Sequence, residues 1–156
     1  MSNDAEIRVR PATANDAPAL ADSQVLMARE TEGLELPPPT VLRGVRAVLD
    51  DPGKGNYYVA EQAGQIIGCL LITREWSDWR CAWVWWIQSV YIIPSARRRG
   101  VFRALYLHIL GLARQSPDVR ALRLYVDKRN TVAHEVYETL GMNGDHYRLY
   151  EWAKSE

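Results

Sequence analysis

The chain is poor in the features that mark several large classes of protein. It has two cysteines, Cys69 and Cys81. Two thiols make no disulfide framework, and their spacing matches no metal site. Cys69 lies in an apolar run and reads as a reduced core thiol. No apolar run approaches the ~20 residues of a membrane-spanning helix. The opening residues, MSNDAEIRVRP, lack the apolar region of a signal peptide. Neither sign of charge dominates: Lys+Arg and Asp+Glu are 19 each. That argues against a general nucleic-acid binder, although it leaves room for a local basic patch. There is no internal repeat, low-complexity tract or linker. These absences predict a cytoplasmic protein with no metal, no membrane contact and no nucleic-acid partner.

What is present fits one globular domain spanning residues 1–156. The chain is 47% hydrophobic and 24% charged, and 156 residues suffice for a sizeable core. Ile7 and Val9 alternate with polar residues as a short strand ended by Pro11. Thr13 or Asn15 can cap a helix carrying Leu20, Val25 and Leu26. After three consecutive prolines, Thr40 can cap a second helix with Val41, Val45, Val48 and Leu49 at helical spacing. Two strands follow, joined near Ala63 and Gly64. SDWR is a turn, and CAWVWWIQSVYIIP is a long strand rich in aromatic and β-branched residues. An arginine-rich turn, a helix and the strand ALRLYVD come next. A helix begins near Asn130 and ends before Gly141. YRLYEW reads as a last strand. The order β-α-α-β-β-β-α-β-α-β predicts a three-layer α/β/α fold around a mixed sheet.

The segment IIPSARRRGVF carries a chemical signal. It sets Arg97, Arg98 and Arg99 between a strand and a helix. Backbone N–H groups at a helix start have no intrahelical acceptor, and the helix dipole favours an anion there. Gly100 permits close approach of a ligand or a positive φ. Arginine adds charge-assisted hydrogen bonds to phosphate. Taken alone, the same residues also suit a solvated basic turn.

A wider match decides between these readings. VYIIPSARRRGVFRALY resembles the acyl-CoA-binding motif of the GNAT N-acetyltransferase superfamily, Arg/Gln-x-x-Gly-x-Gly/Ala after a strand ending Val-x-Pro. Arg97 and Gly100 match, as do Ile92 and Pro94, whereas Phe102 replaces a small residue. NTVAHEVYETLGM resembles the family's later helix motif through Asn130, Ala133, Tyr137 and Gly141, with Met142 for the usual Phe. The resemblance implies a GNAT-like three-layer fold whose central sheet is splayed. It also implies acetyl-CoA as co-substrate. The diphosphate would meet the backbone of Arg98, Arg99, Gly100, Val101, Phe102 and Arg103, with Arg97 at the first motif position. The pantetheine arm would pair with Val90, Tyr91 and Ile92, and Asn130 would contact it. The Phe102 ring is expected to pack away from a ligand held through backbone groups.

The resemblance further implies a catalytic acid. Asn130, His134 and Tyr137 share a helix face, and Val132, Val136 and Leu140 read as core on another. In the family the tyrosine at this position faces the coenzyme sulfur, so Tyr137 is expected to protonate the leaving thiolate. His134 reads as a partly exposed helix residue, His108 as a hydrogen-bonded histidine under its helix, and His146 as a loop residue. Some relatives place a glutamate on the strand before the turn, where this chain has Trp86. The base is therefore open. Gln88 and Ser89 could hold a water, and Glu30, Glu32 and Glu75 are acidic residues near the expected acceptor side. Five of six tryptophans fall between Trp76 and Trp86, either as core and edge packing or as an aromatic wall for an acceptor. The expected reaction is acetyl transfer to a primary amine of a small molecule or peptide. The rivals are another acyl donor and a non-catalytic acyl-CoA sensor. A homodimer is left open.

Overall fold

A computed structural model describes residues 5–155. The chain falls into two compact units, Met1–Leu124 and Tyr125–Glu156.

The first unit is built on a five-stranded sheet in sequential order: β1 (Arg8–Pro11), β2 (Asn56–Gln62), β3 (Gln65–Ser77), β4 (Ala82–Ile92) and β5 (Val119–Leu124). The first four pair antiparallel and β5 joins β4 in parallel, which makes the sheet mixed. Register follows side-chain alternation. Tyr57, Val59, Cys69, Leu71 and Tyr91 form one core layer with Ala17, Leu20 and Ala21 of α1 (Ala17–Glu32) and Val45 of α2 (Pro38–Asp50). The other face carries α3 (Val101–Gln115), where the His108 ring sits 5.6 Å from the Tyr58 ring. Gly68 lets α3 lie close to the sheet: a Cβ there would come within 2.9 Å of Val101. Helices on both faces give the three layers. Cys69 is buried, and burial pushes its thiol up to about 11.

Local chemistry explains the helix starts. Thr13 and Asp16 form a capping box ahead of α1, and the Asp16 carboxylate also receives Arg10 Nη1 at 2.8 Å. Helix α2 begins at Pro38, before Thr40, because a proline in the first turn forfeits no hydrogen bond. The α1 core stripe is Ala17, Leu20, Ala21 and Gln24, while Leu26 is exposed.

The second unit holds α4 (Thr131–Thr139). Asn130 caps it, accepting the Ala133 N–H at 3.1 Å, and Gly141 follows at φ 85°. Val132 and Val136 are exposed rather than core, since this unit has few elements to cover them. Residues 147–152 form no strand. Alternation alone does not make a strand; a ladder partner does, and residues 125–155 contain no other strand.

Candidate active site

Strand β4 changes character at Ser89. From Trp83 to Ile87 it lies between two partners, β3 and β5. The parallel ladder ends at Ile87↔Leu124. On the β3 side the register passes from Leu71↔Gln88 to Cys69↔Tyr91, so Leu70 faces both Ser89 and Val90. Ser89 adopts φ 51°. This is a β-bulge, which bends its strand and disrupts the ladder locally. Residues 88–92 thus lie beyond the parallel ladder, and the sheet is splayed at this point.

The turn follows directly. Arg98 sits at φ 62° and Gly100 at φ 78°. A non-glycine residue in this region costs about 1–3 kcal/mol and clusters at functional sites. Gly100 is the N-cap of α3, and the helical ladder begins with Ala104 N–H to Gly100 O at 2.9 Å. The amides of residues 101–103 precede that first bond. A Cβ on Gly100 would meet nothing within 4 Å, so this side of the turn is open. Arg98, Arg99 and Arg103 are exposed. The Phe102 ring lies 6.1 Å from the ring of Tyr106, one turn along α3.

Arg97 is turned the other way. Its Nη2 donates to Glu30 Oε2 at 2.6 Å and its Nε to Ile92 O at 3.0 Å. The Tyr91 hydroxyl donates to Glu30 Oε1 at 3.1 Å. The Arg97 bond holds the Glu30 carboxyl below its ordinary range, and burial followed by Glu30 pushes the Tyr91 phenol up. This network ties the last turn of α1 to the strand end and to the turn.

A second cluster lies on the same sheet face as Tyr91, on the other side of the bulge. Gln88 donates to Thr73 Oγ1 at 2.6 Å. Trp86 Nε1 donates to Glu75 Oε2 at 2.8 Å, and Arg123 Nη1 donates to the same oxygen at 3.2 Å. The Arg123 guanidinium lies 5.8 Å from the Trp86 ring. Trp83 and Trp85 take the opposite face; Trp83 meets Trp76 edge-on at 5.0 Å.

In the second unit, Asn130, His134 and Tyr137 share one face of α4 as their spacing requires. Burial raises the Tyr137 phenol above its usual value, so it stays protonated at neutral pH. His134 Nε2 is 3.1 Å from Asp127 O, a local contact. His108 meets an aromatic ring, and His146 is exposed in a loop.

The structure thus brings together Val90, Tyr91, Ile92 and residues 97–103, and it groups Asn130 with Tyr137. Sequence spacing did not reveal the Glu75–Trp86–Arg123 cluster. The available signal was the SDWR turn: counting outward along both strands sets Thr73 opposite Trp86. Among the described residues no group of three or more His, Cys, Asp or Glu could hold a metal ion, and no helix is long and apolar enough to cross a membrane.

Comparison with known proteins agrees with this geometry. The acetyltransferase (GNAT) family pattern matches residues 24–142. A crystal structure of a possible acetyltransferase from Clostridium difficile 630 is 36% identical, with a TM-score of 0.88, covering 96% of this chain and 99% of that one. A predicted acetyltransferase from Clostridium acetobutylicum, solved with acetyl-CoA, is 17% identical with a TM-score of 0.72, over 94% of this chain and 96% of that one. A ribosomal-protein-alanine N-acetyltransferase from Brucella melitensis biovar Abortus 2308 is 14% identical with a TM-score of 0.76, over 96% and 100%. No curated protein matches the chain.

Proposed function

The chain belongs to the acetyltransferase (GNAT) family, and from that premise we propose that it transfers the acetyl group of acetyl-CoA to a primary amine by direct attack. The observation that carries this reading is the bulge at Ser89 followed by the positive-φ turn at Arg98 and Gly100. The bulge presents strand backbone, and the turn presents helix-start amides on an open side. Both are what an extended acyl-pantetheine arm and its diphosphate need. Residues 1–156 act in this reading as one transferase, in the cytoplasm.

The roles follow the chemistry. The backbone of Val90, Tyr91 and Ile92 pairs with the pantetheine amides. The amides of residues 98–103 meet the diphosphate, and the exposed Arg98, Arg99 and Arg103 supply positive charge around it. Arg97 braces the turn through Glu30 and Ile92 O. Asn130, whose Oδ1 caps α4, offers its amide N–H groups to the coenzyme arm. The amine nitrogen attacks the thioester carbon, the C–N bond forms and the C–S bond breaks. Tyr137 gives its phenolic proton to the departing thiolate. A small-molecule or peptide amine suits this reaction; the Brucella relative is described as acting on an alanine of a ribosomal protein.

Thiol release from acetyl-CoA, measured with putrescine, spermidine, kanamycin and a peptide with a free N-terminal alanine, tests the reading. Amine-dependent release is expected with at least one of them. Tight coenzyme A binding with no turnover on any amine would contradict it and favour a sensor.

A further inference from the structure

We propose that Glu75 takes the proton from the attacking amine. This role rests on the acetyl-transfer reading above. An alkyl ammonium has a pKa of about 10 and cannot attack a thioester until it loses a proton. The sheet face beside the Ser89 bulge has to supply a group for that step. Reading β4 away from the bulge, the side chains on this face are Gln88, Trp86 and Val84; β3 contributes Leu71, Thr73 and Glu75, and β5 contributes Arg123 opposite Trp86. Among these, Glu75 is the carboxylate, the side chain with a basic oxygen to receive the proton.

Glu30, which reaches the strand end beyond the bulge, is already committed. Both Glu30 oxygens are engaged, one by Arg97 and one by Tyr91. Glu75 differs in a telling way. Trp86 Nε1 and Arg123 Nη1 both donate to Oε2, and Oε1 is left for an incoming proton. Two donors on one oxygen fix the carboxylate's direction, and a half-exposed side chain keeps it accessible. The charged group facing Glu75 is Arg123; Arg74, its neighbour on β3, points to the opposite face and bonds Asn56.

Trp86 precedes the bulge by three residues, about 10 Å along the strand. The Glu75 carboxylate is therefore placed to act through a short file of waters rather than directly. Gln88 and Thr73, joined at 2.6 Å, lie between the two and provide polar partners for those waters. In the step, the ammonium N–H proton passes to the first water of the file as a proton of the last water passes to Glu75 Oε1. The freed nitrogen lone pair then attacks the thioester carbon. As the C–N bond forms and the C–S bond breaks, the thiolate takes the Tyr137 proton, and the second surplus N–H proton passes through solvent to restore the Tyr137 phenol.

The test compares wild type with Glu75→Gln, using acetyl-CoA and the amine from the panel that gives the highest rate. Glutamine keeps the shape and the acceptor for Trp86. At pH 7, kcat/KM should fall about 10²–10⁴-fold, the range for loss of a general base. Coenzyme A affinity and melting temperature should be unchanged. The deficit should shrink as pH rises toward 10, where the amine is already neutral. Trp86→Phe, which removes the donor and keeps a ring, should lose about tenfold and retain the wild-type pH profile. Equal rates in Glu75→Gln and wild type would overturn the proposal. So would a deficit of constant size across pH, which marks a positioning role. If wild type itself moves no acetyl group to any amine, the acetyl-transfer reading fails and this role with it. If wild type turns over and Glu75→Gln matches it, this role alone fails.

Discussion

The two halves of strand β4 work by different means. The half from Gln88 to Ile92 is shaped by backbone: a bulge at Ser89, a register shift against β3, and then a turn with Arg98 and Gly100 at positive φ. The half from Trp83 to Ile87 is paired on both edges, and its chemistry comes from side chains that meet across strands. Trp86 of β4, Glu75 of β3 and Arg123 of β5 converge there on one carboxylate oxygen. Backbone sites need particular conformations and tolerate many side chains, so the proposed coenzyme site would accept Phe102 where a small residue is usual. Side-chain sites tolerate ordinary backbone but depend on identity and register.

Substitutions can break this contrast, and the largest effect belongs to the backbone end. Gly100→Val forces a β-branched residue into φ 78° and fills the open side of the turn. Wild type with coenzyme A at 100 times its dissociation constant should gain about 2.7 kcal/mol. The variant should lose most of that gain while still melting cooperatively without ligand, as read by thermal unfolding with and without coenzyme A.

Tyr137→Phe sharpens the contrast from the side-chain side. The ring remains, so coenzyme affinity should hold while kcat falls about 10²-fold, the lower end for loss of a general acid. Burial raises the Tyr137 phenol, so wild-type turnover should show no loss from its ionisation until pH exceeds the ordinary tyrosine range near 10. A parallel fall in affinity and kcat would instead make Tyr137 a packing residue.

Asp16→Ala is a control away from β4. It removes the capping box and the Arg10 pair, and should cost about 2 kcal/mol in denaturant unfolding with unchanged activity per folded molecule. The Arg10 hydrogen bond lowers the Asp16 carboxyl in the folded state. Its contribution is therefore full above the unfolded value of about 3.9 and is lost as pH falls through the folded value. An acid titration of stability in wild type and variant should converge at low pH.

Glu30→Gln should have the smallest effect. It breaks an exposed ion pair with Arg97, worth roughly 0–1 kcal/mol. Coenzyme affinity, measured calorimetrically, should change by no more than about fivefold.

The same contrast explains what was legible in the sequence. The arginine turn, the strand before it and the helix after it are local, so spacing located them, and Asn130 and Gly141 marked the ends of α4 by their capping chemistry. The Arg97–Glu30 pair joins residues far apart in sequence, and no local pattern announces it. Glu75 could be named only as an acidic residue on the acceptor side, because its value lies in which strand neighbours it meets. Residues 147–152 alternate like a strand, yet pairing decides, and periodicity carries no information about a partner. Thr40 was passed over as a cap because Pro38 already suits a first helical turn.

The division of labour along β4 is tested most directly by amide hydrogen exchange in the full chain, with and without coenzyme A. The account predicts that coenzyme A slows exchange at residues 90–92 and 98–103, where backbone does the binding. It predicts no change at residues 74–76 or 83–86, where side chains serve the acceptor. Protection at the tryptophan-rich hairpin with none at the turn would contradict it.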